Sequence, residues 1–158
     1  MKRGKKENQS GQLAIACDVV NYSTPEKTTS YCKNWSLPIS QIQIVGEYTD
    51  SNGPYLDDYF FVFVLSNGSW RQASFYAEGR DSFLTELSSK LGHKLECGLC
   101  NSTSLKSRVL WPEKLSGEIL FTFARAPGPK GFFAKLLHKA SPTFLFEFNE
   151  PVRKTLNL

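Results

Sequence analysis

Apolar and polar residues alternate along much of the chain, or form short apolar runs, and both patterns predict β-strands. The runs are short, aromatic or β-branched, and most are bounded by Gly, Pro, Asn or Ser. They cover residues 13–20, 41–48, 59–65, 70–76, 118–125 and 143–149, with a further short run at 94–97. The residues between Asn21 and Asn34 and those of 98–117 read as loops.

Two of these runs predict a β-hairpin. Tyr59 to Leu65 is apolar throughout, and a second aromatic run begins at Trp70. Asn67 and Gly68 lie between them, and this dipeptide is typical of tight hairpins because both residues tolerate positive φ. We therefore predict a two-residue turn at Asn67–Gly68.

Two segments show helical periodicity. In residues 80–91, Phe83, Leu84, Leu87 and Leu91 share one face, and Gly92 suits a left-handed C-terminal cap. Residues 132–140 form a second amphipathic pattern that ends before Ser141–Pro142. We expect the first helix to lie across the sheet.

The order of these elements predicts an α+β domain with a mainly antiparallel sheet and two amphipathic helices. The alternative is a half-open barrel capped by a helix, as in pleckstrin-homology-like domains. That alternative is based on element order alone, since no motif of that family is matched. Residues 1–12 are predicted to be a disordered basic tail, and residues 13–158 a single globular domain.

Charge is distributed unevenly along the chain, and its net value is +4. Residues 7–105 carry six Lys and Arg against eleven acids, whereas residues 106–158 carry nine against four. Nucleic-acid binding usually needs a basic folded face, so we expect no nucleic-acid partner. No apolar segment suits a signal peptide or a membrane span, so we expect a cytoplasmic protein.

The most suggestive surface is the basic stretch 125–139. It contains no acid, and it combines positive charge with an apolar stripe made of Phe132, Phe133, Leu136 and Leu137. This pattern is typical of helices that bind a membrane surface or a protein partner, although ordinary core helices share it. The predicted partner-binding residues are Arg125, Lys130, Phe133, Lys135 and Lys139.

Catalytic motifs are absent from the sequence, and no cofactor is expected. There is no nucleophile elbow, no phosphate-binding loop and no Cys/His signature. Cys97 and Cys100 have the spacing of half a zinc site, and the acidic loop 47–58 is the densest group of carboxylates. Our main interpretation is a non-enzymatic binding or adaptor module that contacts an acidic protein or an anionic membrane surface. The alternative is a small metal-binding protein or enzyme that uses these cysteines and the acidic loop. The oligomeric state is left open.

Overall fold

The computed structural model describes residues 9–25, 33–50, 57–125 and 144–158. Its elements, in chain order, are β1 (Gln12–Ala16), β2 (Val19–Ser23), β3 (Trp35–Pro38), β4 (Ile42–Thr49), β5 (Tyr59–Leu65), β6 (Trp70–Ser74), α1 (Arg80–Leu91), β7 (Lys106–Trp111), β8 (Phe121–Arg125), β9 (Phe144–Phe148) and α2 (Glu150–Leu156). The strands form three antiparallel sheets with the orders β1-β2-β3, β6-β5-β4-β7 and β8-β9. The predicted α+β class with antiparallel sheets is confirmed, and these sheets do not form a closed barrel.

The first predicted strand, residues 13–20, is instead a hairpin. Ala16 is paired with Val19, and the two residues between them, Cys17 and Asp18, both have positive φ. This two-residue turn therefore occurs without glycine, and the Asp18 carboxylate forms an ion pair with Lys90 of α1. The predicted loop that follows contributes the last residues of β2.

The central sheet supplies about half of the buried residues of the hydrophobic core. Its strand β4 is buried on both faces from Ile44 onward, not half-buried as the alternation predicted. Strands β5 and β7 flank it on either side, and its apolar side chains are part of the hydrophobic core. Strand β7 falls within residues 98–117, so the prediction of a loop there was wrong. The short strand predicted at 94–97 is absent, because those residues have no regular structure.

The predicted hairpin of β5 and β6 is present, but its turn differs. Leu65 N–H bonds to Ser69 O, so three residues form the loop. Gly68 N–H bonds to Leu65 O, and Gly68 has a φ of 81°. This is a type I turn followed by a glycine bulge, and Asn67 does not have positive φ. The Asn67 side chain instead accepts a hydrogen bond from Ser69 N–H, which stabilises the type I geometry.

Helix α1 confirms its sequence prediction. Gly79 is its N-cap, and Gly92 is its left-handed C-cap. Phe83 and Leu87 are fully buried, whereas Leu84 is half-buried against the core. The helix thus covers the core with the predicted face.

Strands β8 and β9 form a two-stranded ribbon that packs on the central sheet through aromatic rings. Phe121 stacks on Phe148 and contacts Trp70, while Phe146 lies 5.6 Å from Tyr48 between ring centroids. The predicted strand at 118–125 begins later, at Phe121, and Ile119 is exposed.

A second short helix, α2, follows the ribbon and has no counterpart among the sequence predictions. It has Pro151 in its first turn and buries Val152 and Leu156. The helix predicted over residues 132–140 lies outside the described residues. No helix in the described part of the chain is long and apolar enough to cross a membrane.

Candidate functional site

A buried carboxylate lies at the centre of the main sheet. Glu47, in the middle of β4, is completely inaccessible to solvent. Such a group is stable inside a protein only when it is paired and hydrogen-bonded. Its Oε2 atom accepts a hydrogen bond from the hydroxyl of Tyr59 on β5, and its Oε1 atom accepts one from Gly98 N–H at 3.0 Å.

Arg108 of β7 supplies the matching positive charge. Its Nη2 and Nε atoms lie 2.9 and 3.1 Å from Glu47 Oε1. The position follows from the sheet register, because Arg108 is directly opposite Glu47 in the β4–β7 ladder. Arg108 Nη2 also donates to Glu96 O at 2.6 Å, so the guanidinium is shared between the strand and the irregular segment after α1.

Three side chains of the sheet thus hold residues 96–99. A side chain at Gly98 would collide with Arg108, since an ideal Cβ there lies 2.6 Å from Nη2. The Tyr59 side chain also interacts with the backbone of Leu99. The cluster therefore fixes a segment of irregular backbone by direct bonds to the sheet. We name it the Glu47 cluster: Glu47, Tyr59, Cys97, Gly98 and Arg108.

Two ionisable groups of the Glu47 cluster are held protonated. Burial raises the pKa of the Cys97 thiol to about 11, and the negative charge of Glu47 adds to that effect. Burial raises the pKa of Tyr59 as well, with the hydrogen bond to Glu47 adding to it. Because a thiolate is the nucleophile and the metal ligand, a thiol held protonated is poorly suited to either role. The chemistry of the Glu47 cluster suits a structural role, in which the sheet holds the segment 96–99 in place.

The alternative metal or catalytic site is only partly assembled. Cys97 belongs to the same cluster as Glu47, but Glu47 lies in strand β4 and not in the predicted acidic loop 47–58, and Cys100 is exposed. Asp57 instead accepts hydrogen bonds from Ser10 and Ser74. Within the described ranges, no three His, Cys, Asp or Glu side chains converge as metal ligands would.

The partner-binding residues predicted from sequence are mostly outside the described residues. This applies to Lys130, Phe133, Lys135 and Lys139. Arg125 is the last residue of β8, and its backbone is paired with that of Phe144 at the start of β9. Of the basic stretch 125–139, the structure therefore describes only the backbone of Arg125.

Sequence reasoning missed Arg108 and Tyr59 as members of the Glu47 cluster. One signal was available: Glu47 is the only charged residue of the predicted strand 41–48. An isolated charge in a buried strand predicts an oppositely charged partner on a neighbouring strand. The sequence does not say which strands are neighbours, so the pair could not be assigned.

Comparisons with known proteins add no family. No protein-family model matches the chain, and neither the curated proteins nor the solved structures contain a significant match.

Proposed function

We propose that this protein is a non-enzymatic binding module that contacts an anionic surface through residues 125–139. One observation supports the proposal above others: Arg125 and Phe144 are paired in the β8–β9 ladder. The chain from 126 to 143 therefore leaves and re-enters the ribbon at the same end, where a tight turn would suffice. Long insertions at the end of a rigid hairpin are common sites of binding.

The chemistry of the insertion favours an anionic partner. Residues 125–139 contain four Lys and Arg and no acid. Each Lys or Arg near an anionic membrane contributes about 1 kcal/mol, so four give useful affinity together. Phe132 and Phe133 add apolar area, which favours a membrane over an acidic protein because a bilayer accepts apolar side chains.

The experiment is cosedimentation with vesicles that contain phosphatidylserine, compared with purely zwitterionic vesicles. We expect binding to the anionic vesicles only, and we expect it to weaken as salt is raised. Lys135→Glu combined with Lys139→Glu should abolish binding. The matched control is Lys106→Glu with Lys114→Glu, which changes the net charge equally at exposed sites elsewhere.

Two results would contradict the proposal. If the control pair abolishes binding as well as the test pair, the attraction is a general charge effect. If the protein binds neither anionic vesicles nor soluble polyglutamate, both the membrane and the acidic-protein versions fail.

A half-open barrel, similar to pleckstrin-homology-like domains, is the arrangement we propose for the strands. Its support is the bond from Trp35 Nε1 on β3 to Gln72 O on β6, at 2.7 Å, which links the edges of two sheets. Nuclear Overhauser contacts between β3 and β6 backbones would support a half-open barrel. Their absence would favour separate sheets.

A further inference from the structure

Among the residues that the structure describes, strand β9 pairs with β8 on one side only, and its other edge is open. In the β8–β9 ladder, Asn149 N–H bonds to Leu120 O, which makes these two residues a hydrogen-bonded pair. Because such pairs alternate along an antiparallel ladder, the backbone groups of Phe144, Phe146 and Phe148 point away from β8. Within the described chain, no donor or acceptor bonds to these outward groups of Phe146 and Phe148.

The other edge strands are at least partly protected against pairing with another strand. Natural proteins protect strand edges with prolines, charges, short strands or covering segments. Strand β3 has only four residues and ends at Pro38. The other edges take part in hydrogen bonds: Leu13 of β1 with Glu78, Gln72 of β6 with Trp35, Val109 of β7 with Glu118, and Phe121 of β8 with Ser107. Strand β9 has five residues, no proline, no lysine and no bulge; Glu147 is its one charge, and its Phe146 side chain is 38% exposed.

We propose that β9 pairs with β9 of a second copy of this chain, which makes a symmetric dimer with a continuous four-stranded sheet, β8-β9-β9-β8. The register follows from the outward groups. If Phe146 lies opposite Phe146 of the second copy, Phe144 lies opposite Phe148, and every outward N–H meets an outward C=O. The edge is therefore complementary to itself, as a twofold interface requires.

The side chains of β9 are compatible with this register. Phe146 meets the same aromatic residue across the twofold axis, and aromatic cross-strand pairs are stabilising. Glu147 lies opposite position 145 of the second copy, so the two acids do not face each other. The proposal depends only on β9 and is independent of the function proposed for residues 125–139.

Sedimentation equilibrium tests the dimer with two variants at one position. Both Phe146→Ala and Phe146→Pro remove the ring, but only proline removes the outward N–H, and neither breaks a bond to β8. We expect a monomer–dimer equilibrium in the parent protein. The dimer dissociation constant should rise in Phe146→Ala and rise at least about tenfold further in Phe146→Pro, because symmetry removes two hydrogen bonds.

Oxidative crosslinking tests the register itself. In the proposed pairing, the Cα atoms of the two residues at position 146 are about 5.5 Å apart, within disulfide range. Phe146→Cys should therefore crosslink when copper phenanthroline and oxygen accept the two electrons and two protons of the paired thiols. Mass spectrometry then locates the new disulfide. Thr122→Cys on β8 is the control, because three strand spacings of about 4.8 Å separate its two copies.

The proposal is overturned if the parent protein is monomeric at all concentrations. It is equally overturned if Phe146→Pro, with an unchanged melting profile, dimerises as well as Phe146→Ala. Preferential crosslinking through Thr122→Cys would show that a different surface mediates the contact.

Discussion

Removal of the Arg108 charge is the most informative perturbation of the fold. Arg108→Met keeps much of the aliphatic length of the side chain and leaves Glu47 without its cation. Glu47 is completely buried, so water cannot replace the guanidinium at Oε1. The same substitution also removes the bond to Glu96 O that anchors the irregular segment.

The magnitude follows from burial. Breaking a buried ion pair by removing one partner costs about 3–5 kcal/mol. Because the Arg108 side chain is 33% exposed, part of its hydration is retained in the folded protein, and we expect a loss near 3 kcal/mol. That is a large part of the roughly 5–15 kcal/mol that stabilises a typical domain.

The assay is urea unfolding at neutral pH, followed by tryptophan fluorescence. Arg108→Met, Glu47→Met and the double variant form a cycle, in which we expect the double variant to lose less than the sum of the single variants. Lys154→Met is the control. It breaks the ion pair with Glu150 on α2, where both side chains are mostly exposed, and should change stability little. Additive losses in the cycle, or a stable Arg108→Met protein, would refute the reasoning.

Two further predictions concern the turn of the β5–β6 hairpin and the Cys97 thiol. Gly68→Val should lower the unfolding free energy by about 1–2 kcal/mol, because Gly68 has positive φ. Ser66→Val in the same turn is the control and should lower it less. Equal losses in the two variants would contradict this prediction. At pH 8, Cys97 should react with Ellman's reagent far more slowly than the exposed Cys100, because a pKa of about 11 leaves about one thiolate in a thousand. Because the pKa of Cys97 is raised in the folded protein, its neutral thiol contributes stability below pH 9, and this stability is lost as the pH rises towards 11. The melting temperature of Cys97→Ala should therefore depend less on pH between 9 and 11 than that of the parent protein. Equal reactivity of the two thiols would contradict the burial of Cys97.

The elements that the sequence predicted correctly are those whose pattern of apolar residues and caps lies within the element itself. Helix α1 has both a periodic face and glycine caps, and Tyr59 to Leu65 is apolar throughout. The hairpin of β1 and β2 was missed because its turn contains no Gly or Asn, and Cys17 is not a typical turn residue. The turn type at Gly68 was wrong because Asn-Gly is compatible with both the two-residue turn and the glycine bulge.

The Glu47 cluster depended on long-range pairing. The residues of β7 were predicted to be part of a loop, yet Arg108 reaches the buried Glu47 because β7 lies beside β4. That neighbour relation involves residues 61 positions apart in sequence. A local pattern contains no information about such a contact, which is why both the strand and the Glu47 cluster were missed.

Replacement of the whole insertion tests the central claim most directly. An Asn-Gly turn in place of residues 125–144 would join Ala124 to Leu145, which the ladder makes a hydrogen-bonded pair, as a two-residue turn needs. We expect this variant to keep its fold and to lose binding to phosphatidylserine vesicles by close to a thousandfold, since four charges contribute about 4 kcal/mol. Vesicle binding that is unchanged in the folded variant would contradict the account.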